Sequence, residues 1–219
     1  IILLGIILVV FFQSFESFSR YGLKFLVTSE WNPVKDEYGA FTAIYGTFVT
    51  SFLSLLITIP LGVGTAIFIT EDFVPKVFRE IIGSFVELLA AIPSVVLGLW
   101  AIFVLEPFFR AFFVFLNNFF GWIPLFSTEP TGRNSFLAIL ILVVMLLPIV
   151  TSIARDSLNQ VPKKLRNAAY GIGASRWKTI FSVILPAALS GIMAGVLLAL
   201  GRAMGETMAV TMIIGNSNV

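Results

Sequence analysis

Five apolar stretches, separated by shorter polar and charged ones, give this chain its order. Ile1 to Phe12 is apolar but too short to cross a hydrocarbon layer of ~30 Å, which takes about 20 helical residues. It reads as the tail of a longer, clipped helix, and it has no small-residue cleavage site to suggest a signal peptide. A polar stretch with Glu16, Arg20, Lys24, Glu30, Lys35, Asp36 and Glu37 follows, and the next uncharged run lasts from Tyr38 to Thr70. That run holds a full span, roughly Thr47 to Ile69, with Pro60 as a break that membrane helices tolerate. After the charged connection Glu71–Glu80, Ile81 to Leu105 is long enough for a third span, interrupted by Glu87 and by Pro93-Ser94. Phe108 to Phe120 is aromatic, carries Arg110 and is bounded by Pro107 and Gly121-Trp122, a pattern that predicts an interfacial or re-entrant segment. Ser135 to Ile153 is a clean fourth span, and a fifth run extends from about Ile180 to Ile214 with Arg202 and Glu206 inside it. A sixth span is expected beyond Val219.

Composition strengthens this reading. The chain is 58% hydrophobic and 12% charged, with a mean hydropathy of +1.00, whereas soluble domains carry about 25% charged residues. An all-α membrane protein forming one transmembrane domain over residues 1–219 is the simplest partition, since no internal repeat or low-complexity tract is visible. The sequence has no cysteine and no histidine, which removes disulfides, thiolate metal sites, the usual general base and the commonest metal ligand.

Charge distribution orients the helices, because short loops rich in Lys and Arg stay in the cytoplasm. Glu71–Glu80 and Arg155–Lys178 carry Lys76, Arg79, Arg155, Lys163, Lys164, Arg166, Arg176 and Lys178 in 34 positions. Gln13–Tyr38 and Glu106–Asn134 carry Arg20, Lys24, Lys35, Arg110 and Arg133 in 55. The first pair is therefore placed inside and the second outside.

Three groups of residues carry candidate function. Small residues at Ala168, Ala169 and Gly173, after Asn167, leave an approachable face on a short helix, and a second short helix across Ser175–Phe181 carries Arg176 and Lys178. Such a surface suits docking by another protein, although basic charge alone would also hold a loop against anionic lipid headgroups. Secondly, Arg202 and Glu206 are four apart, so on a helix they share one face and can pair, which lowers the cost of charge at membrane depth. The pair is read as functional or, alternatively, as a packing salt bridge, with Gly201 and Gly205 allowing close backbone approach. Thirdly, Glu87 beside Pro93-Ser94 is either a polar lining residue at a kinked helix or, as slightly favoured, a charge near the cytoplasmic end reaching interfacial water.

The loop pattern Asn167-Ala168-Ala169, three residues, Gly173, nine residues, Val183-Ile184-Leu185-Pro186 resembles the EAA loop of bacterial ABC-importer permeases, with Asn167 in place of the glutamate and Val183 in place of the isoleucine. Gly201-Arg202-Ala203-Met204-Gly205-Glu206-Thr207-Met208-Ala209-Val210, continuing to Gly215-Asn216, resembles the GETMAV segment of phosphate-specific ABC permeases. Glu87 to Gly98 and Pro60-Leu61-Gly62-Val63-Gly64 resemble the C-type subunit of that family. The resemblance runs from about Tyr45 to Asn216. It implies a type I ABC importer permease fold in a bacterial or archaeal cytoplasmic (inner) membrane, with inorganic phosphate as substrate. It also implies that Asn167, Ala168, Ala169, Gly173 and Arg176 belong to a cytoplasmic coupling region, about 155–186, that meets an ATPase. Arg202, Glu206 and Thr207 then belong to the substrate path, where guanidinium geometry suits an oxyanion. The implied partners are a second related permease subunit, a dimer of ATP-binding subunits and a periplasmic or lipid-anchored phosphate-binding protein.

No phosphate-cradling Gly-x-x-x-x-Gly-Lys-Ser/Thr sequence occurs, so no cofactor is expected on this chain and ATP is expected on the partner ATPase. No Gly-x-Ser-x-Gly or histidine-containing metal motif occurs either, which leaves no enzyme reading. The basic loop is explained better by topology than by nucleic acid. A permease for another oxyanion, such as molybdate or sulfate, and a non-transporting structural subunit remain as alternatives, while an ion channel has no ring of ligands to support it.

Overall fold

A computed structural model describes residues 2–32, 34–71, 73–120 and 135–215, less the side chains of residues 16, 113, 116 and 120. The described residues divide into two compact units, one up to residue 49 and the other from residue 50 onward. Gly121-Trp122, Arg133 and Asn216, used above to bound loops and motifs, lie outside the described residues.

In the first unit, α1 (Ile2–Tyr21) continues well past the apolar run that ends at Phe12, so its 20 residues are long enough to cross a membrane. The expectation that the run is too short is corrected: apolar positions alone defined it, and the polar residues that follow extend the helix. Gly22, with φ +62°, closes α1 by donating to the Phe18 carbonyl at 2.9 Å. After α2 (Lys24–Val27), a small hairpin pairs β1 (Trp31–Asn32) with β2 (Glu37–Tyr38), Trp31 opposite Tyr38. Asn32 Oδ1 accepts from the amides of Val34 and Lys35 across the turn, the side-chain mimicry that makes Asn a turn residue. Asp36 pairs with Arg20 and accepts from the Tyr21 hydroxyl at 3.1 Å, fastening the hairpin to the end of α1.

The second unit is built around α7 (Ser135–Gln160), whose buried positions extend along nearly its whole length. The later part of α3 (Phe41–Thr70) runs parallel to it: Leu55 packs with Leu146 and Val150, and Ala66 and Ile67 pack with Ala154 and Leu158. The long helix made of α9 (Arg176–Thr179), a π turn at Ile180–Ile184 and α10 (Leu185–Gly205) runs antiparallel to α7. Ile184, Ala188 and Ile192 meet Ala154 and Leu158, while Ala199 and Ala203 meet Leu146 and Val150. The two basic loops consequently lie at one end of this unit.

Close helix contact depends on missing side chains. A Cβ added at Gly191 would lie 2.3 Å from Ser157 Oγ, one at Gly195 would lie 2.9 Å from Ile153 Cγ2, and one at Gly62 would lie 2.9 Å from Val150 Cγ1. Gly191 and Gly195 are four apart, the small-xxx-small spacing of packed membrane helices. The close approach expected at Gly201 and Gly205 is not found; nothing lies within 4 Å of a Cβ at either.

Ile81–Leu105, expected as one span, consists of parts of two helices. α4 (Lys76–Ala91) stops at Ile92, and α5 (Ser94–Trp100) begins after Pro93, which lacks an N–H and has φ −61° and ψ 140°. From Ser94 the helix continues through a π turn at Ala101–Leu105 into α6 (Glu106–Phe120). The uninterrupted length sufficient to cross is Ser94–Phe119, so the aromatic segment 108–120 extends this helix and is not a separate re-entrant piece. Among the described residues five helices are long and apolar enough to span: Ile2–Tyr21, Phe41–Thr70, Ser94–Phe119, Ser135–Gln160 and Arg176–Gly205. The fifth run breaks after Gly205, and α11 (Met208–Ile214) follows.

The glycine geometry sets a test. Gly191→Ala should destabilise the solubilised protein by about 1–3 kcal/mol through overpacking, seen as a lower thermal midpoint, while Gly201→Ala should leave the midpoint unchanged or slightly raised.

Candidate functional site

The basic loop folds as a helical hairpin. α8 (Lys163–Gly171) starts after Pro162 and ends in a left-handed cap at Gly173, φ +81°. The Gly173 amide donates to the Tyr170 carbonyl at 2.9 Å and the Ala174 amide to the Ala169 carbonyl at 3.0 Å, the hydrogen-bond pair of a Schellman motif. Because nothing lies within 4 Å of a Cβ there, the need for glycine is conformational and not steric. Ser175 then caps α9 by accepting from the Lys178 amide at 3.4 Å.

The expected docking face is only partly outward. Asn167, Ala168, Gly173 and Arg176 are exposed, but Ala169 is 5% exposed and turned into the chain's own body. Arg176 stacks over the Phe73 ring at 5.2 Å, and Phe73 also meets Trp177 at 5.0 Å.

The hairpin is tied inward by residues outside the expected set. Arg166 forms an ion pair with Glu71, just beyond α3, and donates to the Leu158 carbonyl in the last turn of α7 at 2.8 Å. The side chains are 18% and 9% exposed. No local signal marks this pair, because its members are 95 positions apart.

The second group lies near the middle of the bundle. Ala199 and Ala203 bracket Arg202 and pack with Leu146 and Val150, residues at the centre of the 26-residue α7. Arg202 and Glu206 do not pair, correcting the arithmetic of a continuous helix. α10 ends at Gly205, Glu206 is extended with φ −79° and ψ 109°, and Thr207 precedes α11. Glu206 Oε1 instead accepts from the Ala209 amide at 3.2 Å, where a carboxylate complements the helix N-terminus. The Thr207 carbonyl accepts from the Thr211 amide and hydroxyl, at 3.0 and 2.6 Å. Arg202 is exposed and has no ion pair or hydrogen bond among the described residues.

Around the third group, Glu87 lies 3.5 Å from Arg155 on α7, as an exposed pair of the kind that contributes about 0–1 kcal/mol. This places Glu87 towards the end of α7 that leads into the basic hairpin. Pro93 and Ser94 mark the break between α4 and α5, and Ile92 packs into the cluster that holds Met145. The breaks at Pro93 and at Glu206-Thr207 therefore both fall near the mid-height of α7. α5 and α11 also touch, since a Cβ at Gly98 would lie 3.1 Å from Ala209 Cα. Irregular backbone at such depth is tolerated where it is buried in protein or lines a cavity. Among the described residues no group of three or more His, Cys, Asp or Glu could hold a metal ion.

A bundle of membrane-length helices, broken at mid-height and carrying a charged hairpin at one end, has the architecture of a transport permease. The family of binding-protein-dependent transport system inner membrane components matches residues 58–219, and this chain belongs to that family. The phosphate transport system permease protein PstC of Pasteurella multocida is 41% identical over 211 residues, 94% of this chain and 66% of that protein. PstC of Mesorhizobium japonicum is 44% identical over 224 residues, 100% of this chain and 68% of that protein. The chain thus spans about two thirds of these relatives. A chain of the MetNI methionine ABC transporter, in an inward-facing crystal form, superposes with a TM-score of 0.56 at 22% identity, covering 76% of this chain and 68% of that one. The fold is accordingly that of the type I ABC importer permeases. Family membership implies an ATPase and a substrate-binding protein as partners.

The Schellman cap makes a prediction: Gly173→Ala should cost about 1–2 kcal/mol of local stability, read as faster amide exchange at the end of α8, and Gly173→Asn should cost less.

Proposed function

We propose that this chain is a permease subunit of an ATP-driven importer of inorganic phosphate in a cytoplasmic (inner) membrane. The observation that carries the reading is 41–44% identity to proteins named as phosphate transport permeases, extending over 94–100% of the chain. The chain performs no chemistry itself. It works beside a second related permease subunit, a dimer of ATP-binding subunits that hydrolyses ATP, and a periplasmic or lipid-anchored phosphate-binding protein.

The hairpin of α8 and α9 faces the cytoplasm and meets the ATPase through Asn167, Ala168, Gly173 and neighbouring exposed positions. Closure of the ATPase pushes on this hairpin and rocks α7 and α10, which continue directly from its two arms. Arg202 serves the phosphate path. It presents five donors in a fixed fork that matches an oxyanion, and Glu206, engaged by α11, leaves that charge free to attract an anion from the binding protein. Glu206 also holds the break at Thr207 in shape, so the mid-height discontinuity keeps its form while the anion passes. The open face at Gly201 and Gly205 suits the approach of the second permease subunit.

The test is labelled-phosphate uptake by the full-length complex, reconstituted with its ATPase and binding protein. Arg202→Ala should assemble normally yet lose uptake roughly tenfold or more, as befits loss of a charged contact of about 1.5–3 kcal/mol. Unchanged uptake would remove Arg202 from the path. An ATP-hydrolysing wild-type complex that carried molybdate or sulfate but not phosphate would overturn the substrate.

A further inference from the structure

The two arms of the basic hairpin continue directly into α7 and α10, but α3 has no such connection to it. What α3 has instead is a grip on both arms. Glu71, one residue beyond α3, pairs with Arg166 on α8, and Arg166 also holds the Leu158 carbonyl of α7. Phe73 stands against Trp177 of α9 at 5.0 Å and beneath the Arg176 guanidinium at 5.2 Å. Phe68, within α3 itself, stacks on Phe73 at 6.4 Å. Charge and aromatic contact thus join the end of α3 to α8 and α9.

These contacts differ in kind from the rest of the α3 packing. Apolar helix faces can slide over one another by small shears. A part-buried ion pair resists such sliding, because a shear that separates Glu71 from Arg166 also pulls Arg166 from the Leu158 carbonyl. The contact is either kept or broken.

We infer that Glu71, Arg166 and Phe73 are positioning residues that form a strut, making α3 move with the α8–α9 hairpin as one body when the ATPase closes. This rests on the transport reading above. Without the strut, α3 would follow only through its packing on α7, and ATP hydrolysis would continue while transport per ATP fell. The strut touches neither substrate nor nucleotide.

The measurement is a distance between spin labels at position 61 on α3 and position 164 on α8, both exposed, in the full-length complex assembled with its ATPase. It is made without nucleotide and with ATP trapped by a hydrolysis-deficient ATPase. In the wild type the distance should stay constant between the two states. The double variant Glu71→Gln, Arg166→Met removes the pair without leaving a lone buried charge, so it should still assemble. In it the distance should change on ATP binding, and phosphate carried per ATP should fall about tenfold, the factor that corresponds to ~1.4 kcal/mol of lost coupling. A wild-type distance that changes with nucleotide would overturn the inference, as would a double variant with unchanged distance and unchanged stoichiometry. Because the distance reports nucleotide and not substrate, it decides the strut even where the complex proves to carry another oxyanion.

Discussion

The close approach of α7 to its neighbours is the constraint on which the second unit depends. Lipid is as apolar as the helix faces, so helices in a membrane associate through packing and hydrogen bonds more than through the hydrophobic effect. Here packing is made possible at Gly62, Gly191 and Gly195, where side chains of α7 occupy space that any larger residue would claim. The parallel course of α3 and the antiparallel course of α10 follow from these contacts. So does the gathering of the basic loops at one end, where a partner can act on several helices together.

Much of this organisation is legible in the chain itself. Long uncharged runs mark α3 and α7, since crossing a bilayer demands them, but from sequence the break at Pro93 reads as part of one span, because Pro60 and Pro148 show that a proline need not end a helix. The helical hairpin between α7 and α10 is equally visible in its small residues and its basic charge. What could not be read depends on how distant segments meet. Nothing near Glu71 or Arg166 predicts their pairing. The expected Arg202–Glu206 pair assumed an unbroken helix, and the break removes the shared face. Two glycines that looked like contact positions are open, while the pair that makes the contact, Gly191 and Gly195, lies ten residues earlier with the same spacing. Periodicity shows which residues share a face; it does not show what that face meets.

The two irregular points at mid-height have a common physical basis. Each separates two helices, and the segment that follows each, α5 and α11, packs against the same part of α7. At one, proline removes a donor; at the other, a carboxylate supplies an acceptor for an exposed helix start. The hairpin end is organised differently, by a part-buried ion pair and stacked rings.

The exposed guanidinium of Arg202 also bears on the life of the chain before it finds its partners. Arg202 stands in the last turn of α10, and a lone arginine near the bilayer centre costs up to about 2.5–3.5 kcal/mol to insert. An orphan copy carries that penalty, because its own glutamate is engaged elsewhere. An arginine with no partner inside its own chain thus leaves the isolated subunit less at ease in lipid than one whose guanidinium is hydrated or covered.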